Sequence, residues 1–316
     1  NGLPSITSLN PSSAVPGSPA FTLTVQGSNF ASGSTALWNG QALATTVVSA
    51  TQLTAQVPAA LIASPGTVSV TVAAADGVAS NALPFTLTLP RLTGVGVTAP
   101  SSSTSGQNQP VTVNLGSGYP VDLLGTLTLT FAPQGNLPDD PSIQFQNGSR
   151  VFTFTIPAGN SPAPVQVMVS TGTVAGTITI TSTFTASGTD VTPAGIAPEI
   201  IQIAPAVPSL SQPTCTASAS GFTFSVGGYS NTRDVSQANF SFQPASGASL
   251  GTTQLTIAVT PIFSSWFGGS ASAGDGGEFQ YTQPFTIQGS LSTIGTVTVT
   301  LVNSAGTSAP VSCQMP

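Results

Sequence analysis

Few residues in this chain have side chains suited to chemistry. Its 316 residues contain no His, and the only cationic side chains are Arg91, Arg150 and Arg233, set against nine carboxylates. Without His or Lys the usual general bases near neutral pH are missing, and a Ser nucleophile has no partner to take its proton. Carboxylate pairs remain, as in glycoside hydrolysis, where two acids face each other across a sugar at about 5–10 Å. Two local groups qualify: Asp139-Asp140, enclosed by Pro138 and Pro141, and Asp275-Gly276-Gly277-Glu278. The first has the composition of a turn and the second of a Gly-rich loop before a strand. Neither is expected to act as a catalytic pair, so the chain is not expected to be an enzyme.

Metal chemistry meets the same shortage. Zinc and iron sites lack ligands. For calcium, Asp139, Asp140, Asp275 and Glu278 are the only oxygen clusters, with no EF-hand loop around them. They are expected to be solvated loop tips, with no metal and no cofactor. Arg233-Asp234 is expected to tie a turn locally. Trp38 and Trp266 could offer ring faces to a sugar, but both are expected in cores. Asn147-Gly148-Ser149 and Asn239-Phe240-Ser241 fit the N-glycosylation triplet.

Charged residues are 4% of the chain, where a soluble domain has about a quarter. Three scattered Arg cannot build the basic patch that nucleic acid requires, and an electrostatic membrane anchor fails for the same reason. Mean hydropathy is +0.31, yet the apolar residues alternate with Thr, as in Thr177-Ile178-Thr179-Ile180-Thr181. No run approaches the roughly 18 apolar residues of a membrane span, so no membrane insertion is expected. No signal-peptide pattern precedes the first strand; a start at Asn1 suits either a processed form or a fragment.

Short alternating runs broken by Gly, Pro, Asn and Ser predict an all-β chain of three tandem Ig-like antiparallel β-sandwich domains. The divisions fall at 1–90, 91–206 and 207–316. In the first, strands are expected at Ser5–Leu9, Phe21–Gln26, Thr35–Trp38, Ala44–Val48, Gln52–Val57, Thr67–Ala73 and Pro84–Leu89. The second shows Val111–Leu115, Thr126–Phe131, Ile143–Gln146, Val151–Ile156, Val165–Ser170 and Thr177–Ala186, then a Pro-rich extended joint over Ala194–Ser209. The third shows Gly221–Val226, Asn239–Phe242, Gln254–Val259, Phe279–Tyr281, Phe285–Gln288, Gly295–Val302 and Ser308–Ser312. Helical periodicity is almost absent.

The first unit resembles the IPT/TIG Ig-like domain. The resemblance is carried by Pro4–Pro11, Gly17, Phe21–Phe30, Leu37-Trp38-Asn39-Gly40, Thr51–Pro58, Gly66–Val72 and Ser80–Phe85, in that order. Gly27 is expected to permit the turn into Phe30, which plugs one end of the sandwich, and Asn39-Gly40 suits a type I′ hairpin. The later units are similar to Ig-like modules found beside such domains in large secreted bacterial proteins. In the third, Tyr229–Asp234, Phe263–Phe267 and Asn303–Ser308 carry that similarity. It implies an exported, multi-domain surface setting.

Cys215 and Cys313 lie 98 positions apart, near the ends of the third unit. First and last strands of an Ig-like sandwich commonly lie close, so a disulfide is expected; two unrelated buried thiols are the alternative. A bridge implies an oxidising compartment, and the localisation expected is extracellular or cell-surface. With no Lys to guard sheet edges, charge-free strands such as Thr296–Val302 invite pairing. The chain is therefore expected to be a structural subunit of a surface filament, sheath or stalk that self-associates. Leu3, Ile6 and Leu9 form one candidate donor segment, unless that segment is simply the first strand of its own domain. An adhesin or carbohydrate-binding module, with surface proteins or glycans as partners, and a spacer of a larger secreted protein are the alternatives.

Overall fold

A computed structural model describes residues 2–159 and 163–315; the outermost limits drawn above, 1 and 316, lie outside the described residues. The described residues form six sheets around three hydrophobic cores. In each sandwich the alternating Thr and Ser face outward, while Val, Ile, Leu and Phe fill the layer between two sheets.

In the first sandwich Ser5–Asn10, Phe21–Ser28, Gln52–Val57 and Ala44–Ser49 form one sheet, in that order. The other runs Ser13–Ala14, Leu83–Leu87, Gly66–Ala73, Thr35–Trp38 and Gln41–Ala42. Trp38 and Phe85 pack at 4.9 Å in the core, so Trp38 lies where the sequence places it. Asn39 and Gly40 both have positive φ, 46° and 84°, as the type I′ turn requires. The role of Gly27 differs from expectation. It makes no left-handed turn; a Cβ there would fall 2.0 Å from the Ser5 carbonyl oxygen and 2.5 Å from the Phe30 ring. Close packing demands the glycine, and Asn29, at φ 62°, makes the left-handed step.

The supposed donor segment is the first strand of its own domain. Ile6 is 2% and Leu9 9% exposed, both in the first core, and only Leu3 is free at 69%. Donating this strand elsewhere would empty the core it fills.

The second sandwich pairs Val95–Thr98, Asn108–Leu115 and Val165–Ser170 against a sheet of Ser102–Ser103, Glu199–Ile203, Gly176–Ala186, Leu123–Pro133 and Val151–Ile156. Two expectations need correcting. Ile143–Gln146 is not a strand: it makes a single bridge, Phe145 to Val169, and packs as a buried loop. The Pro-rich joint over Ala194–Ser209 is shorter than expected, because Glu199–Ile203 is a strand whose Ile201 and Ile203 sink into the core. Two apolar residues at strand period outweigh the prolines around them.

The third sandwich sets Ser209–Ser218, Gly221–Tyr229 and Glu278–Thr286 against a sheet centred on Ile294–Asn303. Phe279–Tyr281 and the first half of Phe285–Gln288 belong to one edge strand, which ends at Thr286 and in which Pro284 needs no N–H. Thr296–Val302, expected to be open to pairing, lies inside the sheet between Gln237–Pro244 and Val311–Gln314. A helix, Thr260–Gly268, stands where no periodicity predicts one. At nine residues it is too short for a periodic signal, and it buries Phe263 and Phe267, one turn apart. Cys215 and Cys313 are bonded, with Cα atoms 5.7 Å apart. They join the first strand of one sheet to the last strand of the other.

Candidate functional site

The densest polar constellation lies where the second sandwich meets the third, and it gathers most of the residues with chemical potential. Asp140 is completely buried. Its carboxylate accepts hydrogen bonds from the Ser142 amide at 2.9 Å and hydroxyl at 2.6 Å. It also accepts from the Thr173 amide and, at 3.1 Å, from the Thr173 hydroxyl. A buried carboxylate is tolerable only when its lone pairs are filled in this way. Next to it Asp139 takes a bidentate hydrogen bond from Arg150, at 2.7 and 2.8 Å. That guanidinium also donates to the carbonyls of Asp140 and Ile143. The pair Asp139-Asp140 is thus not the solvated tip the sequence suggests: one acid anchors the loop and the other is sealed beneath it.

Across the joint lies the other acidic loop of the sequence. The Gly277 amide donates to the Thr173 hydroxyl at 2.8 Å. A Cβ on Gly277 would stand 2.4 Å from the Thr173 carbonyl oxygen, and one on Gly276 2.7 Å from Asp140 Oδ1. Both glycines are therefore fixed by contact with the neighbouring sandwich, and Gly276 also adopts φ 57°. Asp275 and Glu278 point away from this contact and are exposed.

Arg233 closes the third domain's side. It is 8% exposed and donates to the carbonyls of Gly276 and Phe267 and to the Ser272 hydroxyl. Its guanidinium lies 5.1 Å from the Phe267 ring centroid, a favourable cation–π distance. Burial lowers its pKa from the ordinary value, and the charge of Asp140 acts against that shift. Arg233 and Asp234 both act as the structural ties the sequence suggests, but through other partners and not with each other. Asp234 instead accepts from the Ser304 amide and hydroxyl at 2.9 and 3.1 Å.

Two buried asparagines clasp the connecting chain. The Asn231 amide group donates to Ser105 Oγ in the second sandwich at 3.0 Å and to the Ala204 carbonyl at 2.9 Å, while its oxygen accepts from Ala206 N–H at 2.8 Å. Asn303 donates to the Ala206 carbonyl at 2.8 Å and to Ser230 Oγ at 3.0 Å. Tyr229 reaches the Ser105 carbonyl at 3.2 Å, and the Ala175 amide donates to the Asn231 carbonyl at 2.8 Å. Among the described residues no buried polar side-chain atom is left without a partner.

The first and second sandwiches also touch: a Cβ on Gly17 would fall 2.3 Å from the Pro120 carbonyl oxygen. Their joint nevertheless lacks the polar network of the other. Among the described residues no hydrogen bond joins those sandwiches directly. Tyr119 donates only to the connecting Pro90 carbonyl, at 2.8 Å. An open cleft of about 820 Å³ lies there, lined in part by Pro65, Arg91 and Pro193. Leu92 inserts into the second core, so the connector belongs to the second domain.

Residues 4–87 match the family model described as IPT/TIG domain. They form a TIG domain. The match covers the first sandwich from Pro4 to Leu87, which includes the Trp38–Phe85 core contact. No curated protein sequence matches the chain. Among solved structures, chicken CNTN1 FN1-FN3 domains are similar at 11% identity and TM-score 0.22, covering 100% of this chain and 99% of that one. An ICAM-5 D1-D4 ectodomain fragment gives 12% and 0.26, covering 98% and 76%. Escherichia coli alpha-2-macroglobulin activated by porcine elastase gives 10% and 0.27, covering 96% of this chain and 31% of that one, so the chain spans about a third of its length. No role passes from these structures to this chain. A TIG domain followed by further sandwiches and a disulfide is an arrangement typical of extracellular and cell-surface proteins. No helix among the described residues is long and apolar enough to cross a membrane, and no group of three or more potential metal-ligating acids or cysteines gathers among them.

Proposed function

We propose that the chain is a structural element of the cell exterior, a stalk segment or a subunit of a surface filament or sheath. In this reading it holds domains at a set spacing rather than transforming a substrate. The observation that carries the proposal is the sealed joint between the second and third sandwiches. Thr173, Asn231 and Asn303 are buried polar side chains whose hydrogen bonds cross to the other sandwich or to the connector, and Asp140 and Arg233 lie sealed beside them with partners in their own sandwiches. Separating the sandwiches would break the crossing bonds and leave their groups unpaired or newly hydrated, at roughly 1–3 kcal/mol each. An ordinary flexible connector has no need of such a set.

Self-association is supported by the neutral skin. With 4% charged residues, copies repel weakly, and Thr, Ser and Gln surfaces lose little when they are desolvated compared with ion pairs. Strand exchange through Leu3, Ile6 and Leu9 is not part of the proposal, since two of the three fill their own core. Light scattering and negative-stain electron microscopy of the purified protein test the reading. Ordered polymers, or single rods of constant bend between the last two sandwiches, support it. Beads moving independently on a string would sink it.

A further inference from the structure

We infer that the third sandwich carries a saccharide-binding subsite around Trp266, independent of the structural role proposed above. Trp266 packs against the third core, as the sequence suggests, yet its ring is not sealed there. It is only partly buried and lines two adjoining clefts of about 340 and 460 Å³. Its indole N–H is already committed, donating to the Glu278 carbonyl at 2.9 Å. The ring is therefore held in one orientation, with its polar edge satisfied and apolar surface left to the clefts. Such a fixed platform suits the C–H face of a pyranose.

The second observation concerns hydrogen bonding. Of the nine carboxylates in the chain, all but Asp275 and Glu278 accept a hydrogen bond from the fold among the described residues. These two line the larger cleft with Trp266. Gln280, which lines both clefts, has a side-chain amide with no partner among the described residues. A chain that uses charge so rarely leaves two acids and an amide uncommitted beside one ring. Planar carboxylate and amide groups match the vicinal hydroxyls of a sugar.

The ligand is a neutral saccharide. Two exposed carboxylates disfavour acidic sugars, and the neighbouring Arg233 is buried with its guanidinium committed to the Gly276 and Phe267 carbonyls. A cage for an ammonium group needs aromatic faces on several sides, and here the neighbouring Phe279 and Tyr281 are buried. The whole chain is to be screened against an array of neutral, acidic and amino oligosaccharides. Hits are then titrated by isothermal calorimetry, which reads parent and variants alike, and tryptophan fluorescence of the parent reports Trp266 because Trp38 is only 3% exposed. Expected is selective binding of a neutral oligosaccharide, weakened roughly tenfold or more in Trp266→Ala and in the gentler Glu278→Gln and Gln280→Ala, whose melting temperatures stay at the parent value. No binding up to about 10 mM sugar, a limit set by the weakness of small contacts, would overturn the assignment. So would binding that the three substitutions leave unchanged, or binding of polyamines or Lys-rich peptides in place of sugars.

Discussion

The Thr173 hydroxyl accepts a hydrogen bond from the Gly277 amide at 2.8 Å and donates to buried Asp140 at 3.1 Å. One side chain of the second sandwich thus joins a sealed carboxylate to the backbone of the third. Removing the hydroxyl in Thr173→Val leaves the Gly277 N–H buried without an acceptor. The expected loss is about 1–3 kcal/mol. Hydrogen exchange at Gly277 should accelerate while amides of the TIG domain keep their rates.

Asp140→Asn keeps the shape and removes the charge. Its NH₂ group would face donors from Ser142 and Thr173, which converge on the carboxylate. Urea unfolding should show a loss of about 2–4 kcal/mol, since charged acceptors contribute more than neutral ones and one end of the amide becomes repulsive.

Gly277→Ala tests close approach directly. Its methyl group would meet the Thr173 and Ser230 carbonyl oxygens at 2.4 and 2.6 Å, so the joint must open or the loop must shift. Small-angle scattering should show a changed angle between the last two sandwiches, with each fold retained by circular dichroism. Gly247→Ala, where a Cβ meets nothing within 4 Å, serves as the open-space control. Its positive φ of 79° should cost about 1 kcal/mol of strain and leave the angle unchanged.

The response to pH should be flat across the middle of the scale, because no His is present. On the acid side, the hydrogen bond from Arg150 and its charge hold Asp139 below the usual carboxylate range. The folded pKa is depressed, so this contribution is present above about pH 4 and disappears as pH falls through the lowered value. On the alkaline side burial pushes Tyr281 up to about 12. That contribution is complete below about pH 10, the value of an unfolded Tyr, and is lost as pH rises through the folded value. Melting temperatures across the range check both limbs.

Reduction of Cys215–Cys313 should act on one domain. A bridge across 98 positions contributes about 4–5 kcal/mol on a chain-entropy treatment. Calorimetry of the double Ser variant should show the unfolding of the third sandwich moved down, with the TIG domain's transition unmoved.

Much of the architecture was legible in the sequence, because strands of alternating Val, Ile and Thr bounded by Gly, Pro and Asn announce themselves locally. Phe21–Ser28 and Gly176–Ala186 are examples, and the TIG resemblance was carried by ordered blocks. The joint was not legible, because its meaning depends on distant partners. Asp139-Asp140 and Asp275-Gly276-Gly277-Glu278 were visible as the two acidic loops, but nothing local told that Asp140 and Gly276 would touch. Paired glycines inside an acidic loop were a usable signal of close backbone approach. Arg233 carried no such signal, because Arg91, an equally isolated cation, stays exposed. Trp266 met expectation only in part, because its helix, too short to show a period, sets the ring at the surface of the third core.

The central claim is that buried hydrogen bonds hold the second and third sandwiches as one body. Electron–electron distance measurements on a spin-label pair at exposed Thr153 and Gln254, across the sealed joint, test it most directly. A narrow distribution, broadened by Thr173→Val, is the predicted result. A broad distribution, indifferent to Thr173, would contradict it.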